Sequence, residues 1–167
     1  MRLLGVVALC AFAACTAGAA SSSSTPARCR PGQLAVTGSL QGATQSLLGT
    51  LTVANTTGRA CSVPVAPSKV SLRAGTKVLS TVTVRMSKAM EPLGLAVRKV
   101  AAHQRVFVGI QWRNWCGRPA GKVRLSIGLR IFAALPRTAA HKTRTPVCVN
   151  RKASSRVAVS RFKSSPP

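Results

Sequence analysis

An all-β antiparallel sandwich of about seven to nine strands, stapled by two disulfides, is the fold this sequence predicts, and three observations predict it. Apolar residues recur at every second position in short runs between turn residues, the pattern of half-buried strands. The apolar share of 46% comes mainly from Val, Leu and Ala, with only four Phe, two Trp and no Tyr, which suits short strands better than long helices. Four cysteines, Cys29, Cys61, Cys116 and Cys148, follow an apolar leader, an even number in a chain that reads as exported.

The leader comes first. Met1 and Arg2 precede an unbroken apolar run from Leu3 to Cys15, then small residues and the serines Ser21 to Ser24. That order is a secretory signal peptide, taken as residues 1–19, and the run falls short of the ~20 apolar residues a membrane span needs. Two cleavage readings stand. Ala13-Ala14-Cys15 is similar to a bacterial lipobox, with Cys15 as the lipidation site and membrane anchor, although Phe12 stands where such boxes usually carry Leu. The other reading cleaves after Ala19 and releases the protein freely. We prefer the first. A Ser-rich tether, 20–27, serves either, and a sandwich domain over 28–163 leaves a short tail, 164–167. The 167 residues have room for one domain after the leader.

The strands follow in order. Leu34 and Val36 begin one; Leu51 and Val53 belong to a second that runs into the turn Asn55-Thr56-Thr57-Gly58. Val70 and Leu72 precede a hairpin candidate, Arg73-Ala74-Gly75-Thr76, and Val78, Val82 and Val84 come after it. Met86 to Lys99, with Pro92 and Gly94, reads as a long connection. Val106, Val108, Ile110 and Trp112 share one face of the clearest strand. Val123, Leu125, Ile127, Leu129 and Ile131 share one face of the next, with Arg124 and Arg130 opposite, where a one-residue slip would bury the arginines. Val157 and Val159 make the last strand, ending near Phe162. Seven to nine short strands with frequent turns suit an immunoglobulin-like sandwich.

Cys10 leaves with the leader, and four cysteines allow three pairings. Cys29 opens the first strand and Cys61 follows the second, so a hairpin brings them to one end; Cys116 and Cys148 flank the later strands likewise. The pairing expected is therefore Cys29–Cys61 and Cys116–Cys148. A four-thiolate zinc site is the rival, but no close C-x-x-C pair exists.

The charge balance excludes much chemistry. There are 25 Lys and Arg against one acid, Glu91, a formal charge of +24; Arg2 is the only charge in the leader, so +23 remains without it. Paired-carboxylate hydrolysis has no second carboxylate. A Ser–His–acid triad would have to use Glu91, and a calcium site lacks oxygen donors. His103 and His141 are the only histidines, and a two-histidine basic nuclease is the remote enzymatic alternative. We expect no catalytic, cofactor-binding or metal-binding residue, no cofactor and no small-molecule substrate. A surface this basic attracts anionic lipid or cell-wall polymer, and nucleic acid only non-specifically. The candidate contact cluster is Arg137, Lys142, Arg144, Arg151 and Lys152.

The stretch Trp112-Arg113-Asn114-Trp115-Cys116-Gly117 resembles the W-x-N-W-C-G signature of a family of exported actinobacterial domains of unknown function, many of them lipoproteins. Cys29-Arg30-Pro31-Gly32-Gln33-Leu34, Asn55-Thr56 with Cys61, and Cys148 followed by Ser154, Ser155, Val157, Val159 and Phe162 extend the resemblance from Cys29 to Phe162. It implies an immunoglobulin-like sandwich on an envelope protein and carries no activity. The chain departs from those relatives in its charge and in lacking their long Gly- and acid-containing loops. Trp112 is expected in the core, Trp115 over the Cys116 disulfide, and Asn114 as the residue fixing the turn. The leading function is a non-catalytic, exported envelope module that meets anionic components through basic loops. The alternative is a secreted structural or accessory domain with no specific ligand.

Overall fold

The computed structural model describes residues 25–118, 123–127, 132–134 and 145–166. In chain order the strands are β1 (Leu34–Ala43), β2 (Ser46–Asn55), β3 (Cys61–Ser62), β4 (Val70–Ala74), β5 (Lys77–Leu79), β6 (Val82–Arg85), β7 (Lys99–Val100), β8 (Arg105–Arg113), β9 (Val123–Ile127), β10 (Phe132–Ala134) and β11 (Arg156–Val159). One sheet has the order β1-β2-β8-β11-β6, the other β10-β9-β4-β5, and β3 pairs with β7 separately. The all-β sandwich is thus present. Of the eleven strands among the described residues, four are only two or three residues long, too short to show as alternation, which is why the sequence suggests fewer.

Alternation sets which side chains enter the core. Leu51, Val53, Val106, Val108, Ile110, Trp112 and Val157 from the first sheet, with Leu72 and Leu125 from the second, show no exposed surface and belong to one apolar cluster. Burial of each such side chain is worth roughly 1.5–3 kcal/mol. Between them lie outward-facing residues such as Arg105, Arg113, Arg124 and Arg156, all exposed. Phe162, beyond β11, is also fully buried.

Three details differ from the sequence reading. First, β1 and β2 are ten residues each and join through the two-residue turn Thr44-Gln45, with Gln45 at φ 59°. The Thr, Ser and Gln positions between Val36 and Leu51 hide this hairpin, because its outer face is polar. Second, the apolar stretch from Val78 to Val84 changes sheets. β5 pairs with β4 through the predicted Gly75 turn, whereas β6 pairs parallel with β11, Val82 opposite Arg156. That is the one parallel ladder among the described strands. Thr83 points inward from β6; its Oγ1 accepts from Val70 N (2.9 Å) and donates to Val70 O (3.3 Å), tying the sheets together. Third, β9 ends at Ile127 and β10 returns antiparallel from Phe132, opposite Ser126. Phe132 thus lies on a separate, returning strand, and the expected continuation through Leu129, Arg130 and Ile131 lies outside the described residues.

The long connection from Met86 to Lys99 crosses the outer face of the five-stranded sheet. Pro92 is buried over Gly109, where a Cβ would come within 2.8 Å of the proline ring. No helix among the described residues is long and apolar enough to cross a membrane.

Candidate functional site

The W-x-N-W-C-G stretch joins the end of β8 to the chain entering β11. Trp112 is fully buried, and its indole N–H donates to Ser155 Oγ at 2.9 Å, so the polar atom of a large apolar side chain is satisfied inside the core. Asn114 leaves the strand at φ 57°, a conformation Asn tolerates better than most residues. Its amide donates to Asn150 O (2.9 Å) and Ala153 O (2.8 Å), and its Oδ1 accepts from the backbone N–H of Val149 (2.9 Å) and Asn150 (2.8 Å). One side chain thereby holds the 149–153 turn on the end of the sheet, as expected of a turn-fixing residue. Asn114→Ala is expected to cost roughly 2 kcal/mol, from hydrogen bonds worth about 1 kcal/mol each, partly replaced by water, plus left-handed strain. Asn114→Gly relieves the strain alone, so denaturant unfolding of the two variants separates clamp from backbone.

Both disulfides form as expected, Cys29–Cys61 and Cys116–Cys148, each with a sequence separation of 32. Their surroundings differ. Cys29 and Cys61 are 5% and 2% exposed, within the core, whereas Cys116 and Cys148 are exposed. Trp115 therefore does not shield the second bridge. Its ring stands 5.8 Å from that of Trp112, lies over Gly117, where a Cβ would approach within 2.5 Å, and its N–H donates to Arg118 O at 3.0 Å. The glycine in the motif makes room for the indole, which caps the core beside the bridge.

Beside this clamp lies a cleft of about 450 Å³, bordered by the β1–β2 turn at Gln45, by Arg113 and Asn114, and by Val149, Asn150 and Arg156. Arg113 and Arg156 are direct cross-strand partners on β8 and β11. Like charges placed opposite one another destabilise a sheet by about 0.2–1 kcal/mol, and no acid stands between them. Arg151 and Lys152, exposed, occupy the turn between the lining residues Asn150 and Ala153. Of the expected basic cluster, these two are exposed in the turn beside the cleft without lining it; Arg137, Lys142 and Arg144 lie outside the described residues, as do Cys15 and His141. Arg113 and Arg156 were not in that cluster. Their outward phase against Trp112 and Val157 is legible in sequence, but their pairing depends on the register between strands 43 positions apart.

The sole carboxylate is spent elsewhere. Glu91, its side chain 7% exposed, faces Lys163 Nζ at 3.3 Å, Arg85 Nε at 3.6 Å and Arg161 Nε at 3.9 Å, and accepts from Arg161 N at 3.3 Å. Burial works to raise its pKa, but the Arg161 N–H and the Lys163 and Arg161 charges outweigh it, and the net shift is downward. Glu91 is a structural counter-ion. His103 is exposed, in the turn before β8, at φ 58°. No group of three metal-ligating side chains occurs among the described residues.

The fold and site define an all-β, disulfide-bonded domain with a basic cleft at one end, and the two bridges place it in an oxidising environment. The chain belongs to the family described as "Domain of unknown function (DUF4232)", whose model matches residues 29–163. No curated protein and no solved structure matches it.

Proposed function

We propose that this domain is a non-catalytic, exported envelope module that binds anionic components through the basic cleft end. The observation that carries the reading is the distribution of charge. Glu91, the only side-chain acid, is enclosed by Arg85, Arg161 and Lys163, so Arg113 and Arg156 line one cleft, with Arg151 and Lys152 exposed in the turn beside it, and no side-chain carboxylate is left to partner them. An external oxyanion would offset the Arg113–Arg156 repulsion, and a guanidinium fork suits phosphate or carboxylate. Export fits the signal-like leader and the two disulfides, with Cys15 the anchor if the lipobox is used.

The test compares R113Q/R151Q/K152Q/R156Q with a control of equal charge loss, R59Q/K69Q/K77Q/R105Q, whose sites are also exposed. Binding to poly(glycerol phosphate) and to polyglutamate is followed across a salt series. The cleft variant is expected to lose about tenfold more affinity than the control and to flatten the salt slope further, while its stability stays level or rises as the facing arginines go. Equal losses in the two variants would reduce the charge to a generic property of the surface. Preference between the two polymers reports whether phosphate or carboxylate is the partner.

A further inference from the structure

The connection from β6 to β7 is held down along its length yet presents two leucines to water. Met86 is buried and its N–H donates to Val159 O at 2.8 Å; Pro92 packs over Gly109; Glu91 holds its cations. Beyond them Gly94, at φ 89°, lies against Ser164 and Ser165. Leu95 N donates to Ser164 Oγ at 3.1 Å and Leu95 O accepts from Ser164 N at 3.0 Å. Val97 N donates to Phe162 O at 2.8 Å. Between these fixed points Leu93 and Leu95 are 75% and 80% exposed, and Met90 is 39% exposed.

A pinned backbone cannot turn these side chains inward, so their apolar surface has no partner among the described residues. Cations flank them in the chain: Lys88, Arg98 and Lys99 are exposed in the same connection or just after it, Arg85 and Arg161 are about half exposed beside Glu91, and Lys163 Nζ donates to Gly94 O between the two leucines at 3.3 Å. We infer that Leu93 and Leu95 form a wedge that enters the interfacial layer of an anionic bilayer, with Lys88, Arg98 and Lys99 at headgroup level. Exposed apolar side chains flanked by cations combine the two forces that hold peripheral proteins on such membranes, burial at the acyl boundary and attraction to acidic lipid. Neither force requires the cleft, so the inference goes beyond the function proposed above, which a soluble polyanion satisfies.

The experiment uses the full chain carrying Leu95→Trp, and separately Leu93→Trp. Vesicles are phosphatidylcholine with or without phosphatidylglycerol, and brominated lipids serve as quenchers. The native tryptophans are Trp112, buried, and Trp115, half-buried, so the new indole is read by difference from the parent protein. A blue shift and bromolipid quenching are expected only with phosphatidylglycerol present. K88Q/R98Q/K99Q should raise the lipid concentration for half-maximal shift about tenfold. Absence of shift and quenching on anionic vesicles would overturn the wedge, as would an equal shift on phosphatidylcholine alone. A concentration-dependent shift without vesicles would assign the leucines to a second copy of the chain instead. Loss of the shift with poly(glycerol phosphate) binding retained sinks the wedge only; the reverse pattern sinks the cleft reading only.

Discussion

Removing the Cys29–Cys61 bridge as C29S/C61S is expected to destabilise the domain by about 5–6 kcal/mol, against about 4 kcal/mol for C116S/C148S. Both bridges span the same separation of 32, so the chain-entropy contribution, about 4 kcal/mol, is common to both. What separates them is where the sulfurs lie. Cys29 and Cys61 are in the core, so serine there buries two hydroxyls among apolar side chains, at about 1 kcal/mol each if they find partial partners. Cys116 and Cys148 are exposed, and serine is solvated. The Cys29 bridge also anchors the start of the domain, where Cys29 N donates to Ser62 O at 2.9 Å and Ser62 N to Ala27 O at 2.8 Å. Equilibrium unfolding in denaturant gives the order directly, and a larger loss in C116S/C148S would refute it. Graded reductant should open Cys116–Cys148 first, because a thiolate can reach it.

Glu91→Gln is expected to cost about 3 kcal/mol, a large effect for one surface-loop carboxylate. Arg85 and Arg161 are 47% and 49% exposed and can return to water, so their share is small. Lys163 is 14% exposed, and among the described residues its Nζ has Glu91 and Gly94 O, at 3.3 Å each, as its only partners. Without Glu91 its ammonium is left largely desolvated and uncompensated, the situation that makes breaking a buried pair costly. Glu91→Gln combined with Lys163→Met should recover much of the loss, a coupling that a double-mutant cycle measures. The pH dependence has a definite sign. The pKa of Glu91 is lowered in the folded state, so its contribution is fully present above the ordinary glutamate range. It is lost as the pH falls through the lowered value. Wild type should therefore lose stability on acidification by an increment that Glu91→Gln lacks.

Much of the architecture is legible in the sequence because alternation is strict where one face is dry. Val106 to Trp112 and Val123 to Ile127 show their inward faces in the letters alone, and the even cysteines with hairpin logic yield both bridges. What escapes is whatever depends on partners far along the chain. The turn at Gln45 carries no Gly or Asn to announce it. The change of sheet between Leu79 and Val82 is invisible, since Val78, Val82 and Val84 keep one phase throughout. At the site, Asn114 is recognisable as a turn residue, yet its four hydrogen bonds reach residues 35 to 39 positions away. The lone acid stands out in the composition. Its three cations do not, because Arg85, Arg161 and Lys163 converge on it only after the connection folds across the sheet.

The parallel ladder between β6 and β11 has a consequence for how the chain reaches its native state. β6 has no neighbour in its sheet other than β11, the last strand, and β11 in turn completes the row beside β8. Val82 must therefore wait for Arg156, 74 positions later, before its row can close. Loop-closure entropy for so distant a contact is spent before any gain returns, which slows folding. A chain emerging N-terminus first cannot complete this sheet until Arg156 to Val159 are available. Premature closure of this sheet is thus discouraged by topology itself: its β6 edge forms only once β11 exists for it to pair with.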